Sequence, residues 1–211
     1  MPHHALDERR ELCATLRTVG PGVATLCGDW TTSELTAHMV LRERSVVELA
    51  GRLPFARFQQ RAERAISAFV SRHPYPELVD LLDAGPPAFS PWALPPLREA
   101  VNLLEYLIHH EDVRRAAGKV SPRALSVARQ RAAWQRLRLA APMTMRAIPL
   151  GVRLVWPSHG EICTRRVQPV TVTGDPVELA LVAFGRQRVA QVSYEGSPAD
   201  VALVSGARIA I

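Results

Sequence analysis

The sequence predicts an α+β protein, mainly α, built as a helical bundle followed by a small C-terminal α/β domain. Three observations carry this. Apolar residues recur at helical spacing through the first two thirds of the chain. After Pro142 the texture changes to short stretches rich in β-branched residues. Two related junctions, Gly174-Asp175-Pro176-Val177-Glu178-Leu179-Ala180-Leu181 and Gly196-Ser197-Pro198-Ala199-Asp200-Val201-Ala202-Leu203, each read as the end of a strand and the start of a helix. The 211 residues fit one bundle-sized domain over 1–145 and a small α/β domain over 150–211.

In chain order, Leu12, Leu16 and Val19 place a first helix over 5–19, ended by Pro21-Gly22. A second helix starts at Thr31, three residues before Glu34, the spacing of a capping box. Leu35, His38, Met39, Val46 and Leu49 lie roughly on one face of it, and Gly51 marks its end. Residues 56–72 form a third helix with Phe58, Ala62, Ala65 and Phe69 inward, and a short helix follows near 77–82. A Pro-rich connection over 85–96 leads into a helix that begins at Pro95-Pro96, where a missing N–H costs nothing, and runs to Ala117 before Gly118. Ser121-Pro122 opens the next helix, to about Ala140, with Leu125, Ala128, Ala132 and Leu139 inward. In the tail, 152–156, 169–173 and 189–194 read as strands. Residues 175–184, capped by Asp175, and 197–205 read as helices.

Composition narrows the function classes. At 47% hydrophobic and 22% charged, the chain can bury a core and is not a disordered segment. It has no apolar run of about 18 residues, the length that suggests a membrane span. Residues 1–10 are polar and charged without an apolar stretch, so no signal peptide is expected. The three cysteines, Cys13, Cys27 and Cys163, are far apart and odd in number; they suggest neither a disulfide framework nor a CxxC metal site. A cytoplasmic protein is the expectation. The net charge of +6 rests almost wholly on arginine, Lys119 being the only lysine. Acids interleave with the arginines, as in Asp7-Glu8-Arg9-Arg10-Glu11, and no basic stretch carries aromatics, so neither nucleic acid nor membrane is expected as a partner.

The chemistry concentrates in two helices. In Val101-Asn-Leu-Leu-Glu105-Tyr-Leu-Ile-His109-His110-Glu111-Asp112, the residues Val101, Leu104, Glu105, Ile108 and Asp112 form a helical stripe with His109 beside it. A carboxylate and an imidazole therefore lie on the face that should be buried, at a cost of several kcal/mol for an unpaired charge. Glu105 and His109 are i, i+4 neighbours, about 5–6 Å apart at Cβ, and can chelate one ion. His38 is the same anomaly on the second helix, between Leu35 and Met39. His38, Glu105 and His109 make a His/His/Glu set with an open fourth position, the pattern of a catalytic zinc; nickel or iron also accepts these ligands. A hydrogen-bonded core histidine and a chance Glu-x-x-x-His are the plainer alternatives. Asp112 can serve as an acceptor for an imidazole N–H, or pair with Arg115 or Arg98. His110 points about 100° from His109 and is read as a non-ligand. Phosphate loops, the GxSxG elbow and HExxH are absent from the sequence.

These motifs have a likeness. Leu26-Cys27-Gly28-Asp29-Trp30-Thr31-Thr32-Ser33-Glu34-Leu35-Thr36-Ala37-His38 resembles the C-x-G-W-T-x-x-[DE]-L-x-x-H signature of the DinB-like, mycothiol-dependent maleylpyruvate isomerase family of actinobacteria. Glu105-Tyr-Leu-Ile-His109-His110-Glu111-Asp112 is similar to that family's Glu-x-x-x-His-x-x-Asp segment, and Gly174 to Arg186 resembles its C-terminal segment, which ends in an apolar helix and Gly-Arg. The resemblance implies a four-helix up-and-down bundle holding zinc on His38, Glu105 and His109. It also implies mycothiol as a cofactor whose sulfur takes the open position. Arg186 is the candidate anchor for the rest of that cofactor.

The leading expectation is a metal-dependent enzyme that uses a low-molecular-weight thiol for isomerisation or S-transfer on small electrophiles. A non-catalytic metal-binding module is the rival, and a small-ligand carrier with an apolar pocket in the tail is the third reading. A fourth protein ligand, His110 or Asp112 swung inward, would favour the rival.

Overall fold

The computed structural model describes residues 3–44, 56–88, 90, 93, 95–118 and 120–209. The chain divides into two compact units, Met1–Ala117 and Gly118–Ile211. It is mainly helical, with one four-stranded sheet. No helix among the described residues is long and apolar enough to cross a membrane.

The first unit contains α1 (His4–Val19), α2 (Thr32–Arg44), α3 (Ala56–Arg72), α4 (Tyr75–Ala84) and α5 (Pro95–Arg114). α1 packs on α4 and α5, and α2 packs on α3 and α4. The capping box at the start of α2 is present: Thr31 N donates to Glu34 Oε2 at 3.0 Å, and Thr31 Oγ1 accepts from Ser33 N at 3.2 Å. Gly20 and Gly85 end α1 and α4 at positive φ, donating back to Leu16 O and Leu82 O. Gly85 is not exchanged cheaply, because its φ of +78° strains any residue with a Cβ. The expected inward positions Val46 and Leu49, the Gly51 end and the Phe58 side chain lie outside the described residues.

α5 is more central than a one-face stripe implies. Every residue from Asn102 to Val113 except Glu105 is buried, and Glu105 is only partly exposed. A helix buried all round should be apolar all round. Here Asn102, His109, His110, Glu111 and Asp112 are among its buried residues, so partners must meet them from several sides.

The second unit holds α6 (Val127–Thr144), β1 (Val152–Trp156), β2 (Gly160–Cys163), β3 (Val170–Thr173), α7 (Pro176–Ala183), β4 (Ser193–Glu195) and α8 (Pro198–Ser205). The strand order is β2-β1-β3-β4, with β1 parallel to β3 and the outer pairs antiparallel. Val152, Leu154 and Trp156 of β1 and Val170 and Val172 of β3 alternate into the core. α7 is buried along its whole length. Both strand-to-helix junctions are present, β3 into α7 and β4 into α8. Ser197 caps α8 by accepting from Asp200 N, whereas Asp175 makes no side-chain cap at α7.

Several expectations differ from this fold. The chain divides after Ala117 rather than near 145–150, because α6 belongs with α7 and the sheet. The buried residues of α6 are Ala133, Trp134, Leu137 and Ala141, not Leu125, Ala128, Ala132 and Leu139; Leu139 is 75% exposed. Trp134 sets this face, its ring meeting that of Trp156 at 6.0 Å. α6 also starts later, at the Ser126 cap, which accepts from Arg129 N. β2 was not expected, and β4 is shorter than 189–194.

Candidate metal centre

The three residues singled out by sequence come together. Ligand atoms of His38, Glu105 and His109 all lie within 4.8 Å of one another. His38 and His109 are each 8% exposed, and their rings meet edge to face at 5.4 Å. Trp30 braces His38 from the loop before α2, at 4.9 Å between ring centroids.

Both oxygens of Glu105 are engaged. Oε1 faces the Arg42 guanidinium at 3.5 Å, and Oε2 faces His109 Nε2 at 3.6 Å. Arg42, 7% exposed, also donates to Asn102 Oδ1 at 2.5 Å and to Val101 O at 3.3 Å. It clamps one side of the carboxylate and leaves the other turned to the histidines. Sequence reasoning missed Arg42, although it stands one turn after His38, at i+4, and shares its face.

The opposite edge of the His109 ring is equally structured. Nδ1 lies 3.0 Å from Asp112 Oδ2 and 3.6 Å from Cys27 Sγ, and Cys27 Sγ lies 3.0 Å from Asp112 Oδ2. Asp112 is fully buried and faces the imidazole, and Arg115 pairs with Glu111 at 2.6 Å. In a neutral ring, a carboxylate on Nδ1 favours the tautomer whose Nε2 lone pair faces Glu105 and His38. Burial lowers the proton affinity of His109. The neighbouring Cys27 and the hydrogen bonds to Asp112, Cys27 and Glu105 outweigh it and hold the imidazole well above its ordinary pKa.

Cys27 is placed by a tight turn. Trp30 N donates to Cys27 O at 3.1 Å across Gly28, whose φ of +60° suits glycine. Leu26 N donates to Asp112 O at 3.2 Å, tying the loop to the end of α5.

His110 stands outside this cluster, as its helical position implied. Nδ1 meets Glu8 Oε1 and Nε2 meets Thr15 Oγ1, each at 2.8 Å. A further polar group links Arg9, Glu43 and Tyr106; the Tyr106 hydroxyl donates to Glu43 Oε1. Burial raises the Glu43 carboxyl above the usual range. These inward charges on α1 and α2 were not foreseen. Burial also pushes the Cys13 thiol up to about 12, which disfavours it as a nucleophile. Arg186 lies in the second unit, where its Nη1 donates to Phe184 O at 2.6 Å.

The donor set suits a divalent cation. Two imidazoles and one carboxylate whose ligand atoms lie within 4.8 Å of one another could hold such an ion, and Asp112 on His109 Nδ1 is the kind of partner that orients a ligating imidazole. Comparison with known proteins adds no neighbour: no family model, no curated protein and no solved structure matches the chain.

Proposed function

We propose that the first unit is a divalent-cation centre, zinc by preference, on His38, Glu105 and His109. We further propose that the chain is an enzyme using a low-molecular-weight thiol, such as mycothiol, for isomerisation or S-transfer on a small electrophile. The observation that carries the reading is the convergence of three ligand atoms within 4.8 Å on the buried faces of two helices. Three protein ligands match the count of catalytic rather than structural zinc sites. His110 and Asp112, the alternatives for a fourth ligand, are engaged with Glu8 and with His109 Nδ1.

A divalent cation held there supplies a Lewis acid and favours the anionic form of a thiol at its free position. The chain's own residues prepare that position. Asp112 holds the His109 tautomer, Arg42 turns Glu105, and Trp30 fixes the His38 ring. The thiol cofactor and its Arg186 anchor rest on the sequence resemblance alone.

Cobalt substitution tests the reading, because a sulfur-to-cobalt charge-transfer band reports thiolate ligation. The expected result is a band that appears only with mycothiol and is lost in His38→Ala. A spectrum indifferent to mycothiol contradicts the thiol step. The second reading, a non-catalytic metal-binding module, draws on Cys27 Sγ at 3.6 Å from His109 Nδ1. It expects a sulfur band without mycothiol that disappears in Cys27→Ala.

A further inference from the structure

The His109 ring faces two trios of potential ligands, one on each edge. The proposed function uses Nε2, with His38 and Glu105. On the Nδ1 edge, Cys27 Sγ and Asp112 Oδ2 complete another trio, again within 4.8 Å. We propose that Cys27, Asp112 and His109 Nδ1 form an alternative site for a soft, thiophilic divalent cation, exclusive of the site on Nε2.

The spacing fits. Bonds of about 2.3 Å to sulfur and about 2.0–2.1 Å to nitrogen or oxygen, at tetrahedral angles, put sulfur about 3.5 Å from the other donors and nitrogen about 3.3 Å from oxygen. The observed separations are 3.6 Å for Sγ–Nδ1, 3.0 Å for Sγ–Oδ2 and 3.0 Å for Nδ1–Oδ2. The sulfur–nitrogen edge needs no movement. The carboxylate must withdraw by a few tenths of an ångström.

Ligand chemistry separates the two trios. The Cys27 side offers a thiolate and a carboxylate, two negative charges against a divalent ion, and sulfur selects soft cations. The His38 side offers one carboxylate, whose charge Arg42 already shares at 3.5 Å, and only nitrogen and oxygen donors. Access differs too: Cys27 is partly exposed while Asp112 is fully buried, so an ion reaches this edge past the sulfur.

Exclusivity follows from the imidazole. A neutral ring has one free lone pair. An ion on Nε2 leaves the ring proton on Nδ1, facing Asp112. An ion on Nδ1 moves that proton to Nε2, facing Glu105, and sends the Cys27 thiol proton to solvent. His109 then serves one ion at a time, and the softness of the ion decides which edge of its ring is used. A soft cation would displace the resident ion and remove the open position that the proposed chemistry needs. This inference shares His109 with the proposed function but does not depend on it.

The test titrates the metal-free full-length chain with cadmium and, separately, with cobalt, in a Cys163→Ser background because exposed Cys163 can supply its own thiolate. Cadmium should bind once per chain and produce an ultraviolet sulfur-to-cadmium band. That band should persist in His38→Ala. It should vanish in Cys27→Ser, with cadmium affinity down about tenfold or more. Cobalt should bind once without a sulfur band, be lost in His38→Ala, survive Cys27→Ser, and be released by added cadmium. Circular dichroism of each variant, and Asp112→Asn as a second route to the site, guard against loss of fold. Cadmium binding without a sulfur band overturns the proposal. So does a band lost equally in His38→Ala, or cobalt retained on the His38 side after cadmium has filled the Cys27 side. Cobalt binding that ignores His38→Ala would instead overturn the proposed function and leave this site standing.

Discussion

The two units solve burial in opposite ways. In the second, among the described residues, only Glu178 and Gln187 are buried polar side chains, and α7 contributes Val177, Leu179, Ala180, Leu181, Val182 and Ala183 to an apolar core. In the first, Glu8, Arg9, His38, Arg42, Glu43, Asn102, His109, His110, Glu111, Asp112 and Arg115 are all buried. Replacing buried charge by apolar side chains is often neutral or stabilising, so such groups are weak evidence for stability. The burial of this many charged groups therefore does not by itself account for the first unit's stability.

The comparison breaks most sharply at Glu111 and Leu179. Glu111 is fully buried and anchors Arg115 at 2.6 Å and Arg114 at 2.8 Å. Glu111→Ala should cost about 3–5 kcal/mol by stranding a buried guanidinium, whereas the double change Glu111→Leu with Arg115→Met should recover most of that loss. In the second unit Leu179→Ala should cost about 2–5 kcal/mol as a cavity, with no paired substitution to rescue it. Denaturant unfolding of the variants measures both. A double change as damaging as the single one would mean that the first unit's charges do stabilise it.

Asp112→Asn sharpens the role of the ring's far edge. It should weaken metal affinity about 10–100-fold while leaving the protein folded; unchanged affinity in a chelator competition would reduce Asp112 to a packing residue.

The metal-free protein offers a pH test. The folded pKa of His109 lies well above the ordinary value. Its contribution to stability is therefore fully present below the unfolded pKa of about 6.5 and is lost as pH rises through the folded value. Melting temperature should fall over that window without metal. With metal the slope should flatten or reverse, because the cation needs Nε2 unprotonated. Identical slopes in both states would place the ion elsewhere.

The ends of the fold were easier to read than its middle. The caps at Thr31 and Ser197 and the Gly-Asp-Pro and Gly-Ser-Pro junctions obey local rules, and the structure follows them. His38, Glu105 and His109 stood out as polar interruptions of apolar stripes, and the structure brings their ligand atoms within 4.8 Å of one another. Arg42, Glu8, Arg9 and Glu43 were illegible, because a charged residue on a helix reads as solvent-facing until the opposite helix is known. The face of α6 was misjudged because Ala and Leu line both of its sides, and only the contact of Trp134 with Trp156 decides between them. β2, with Glu161 and Cys163 exposed, carries little apolar signal. The smallest predicted effect follows: Leu139→Gln, at 75% exposure, should change stability by no more than about 0.5 kcal/mol, and a larger loss would restore the face expected from sequence.

The most direct test of the account is metal per chain in the purified wild-type protein and in His38→Ala, Glu105→Ala and His109→Ala, read by elemental analysis after equilibration with zinc. The account predicts one zinc per chain in the wild type, little or none in each variant, and full occupancy in His110→Ala, whose ring is held by Glu8 and Thr15 at 2.8 Å. Full zinc content in the three ligand variants, or its loss in His110→Ala, would contradict it.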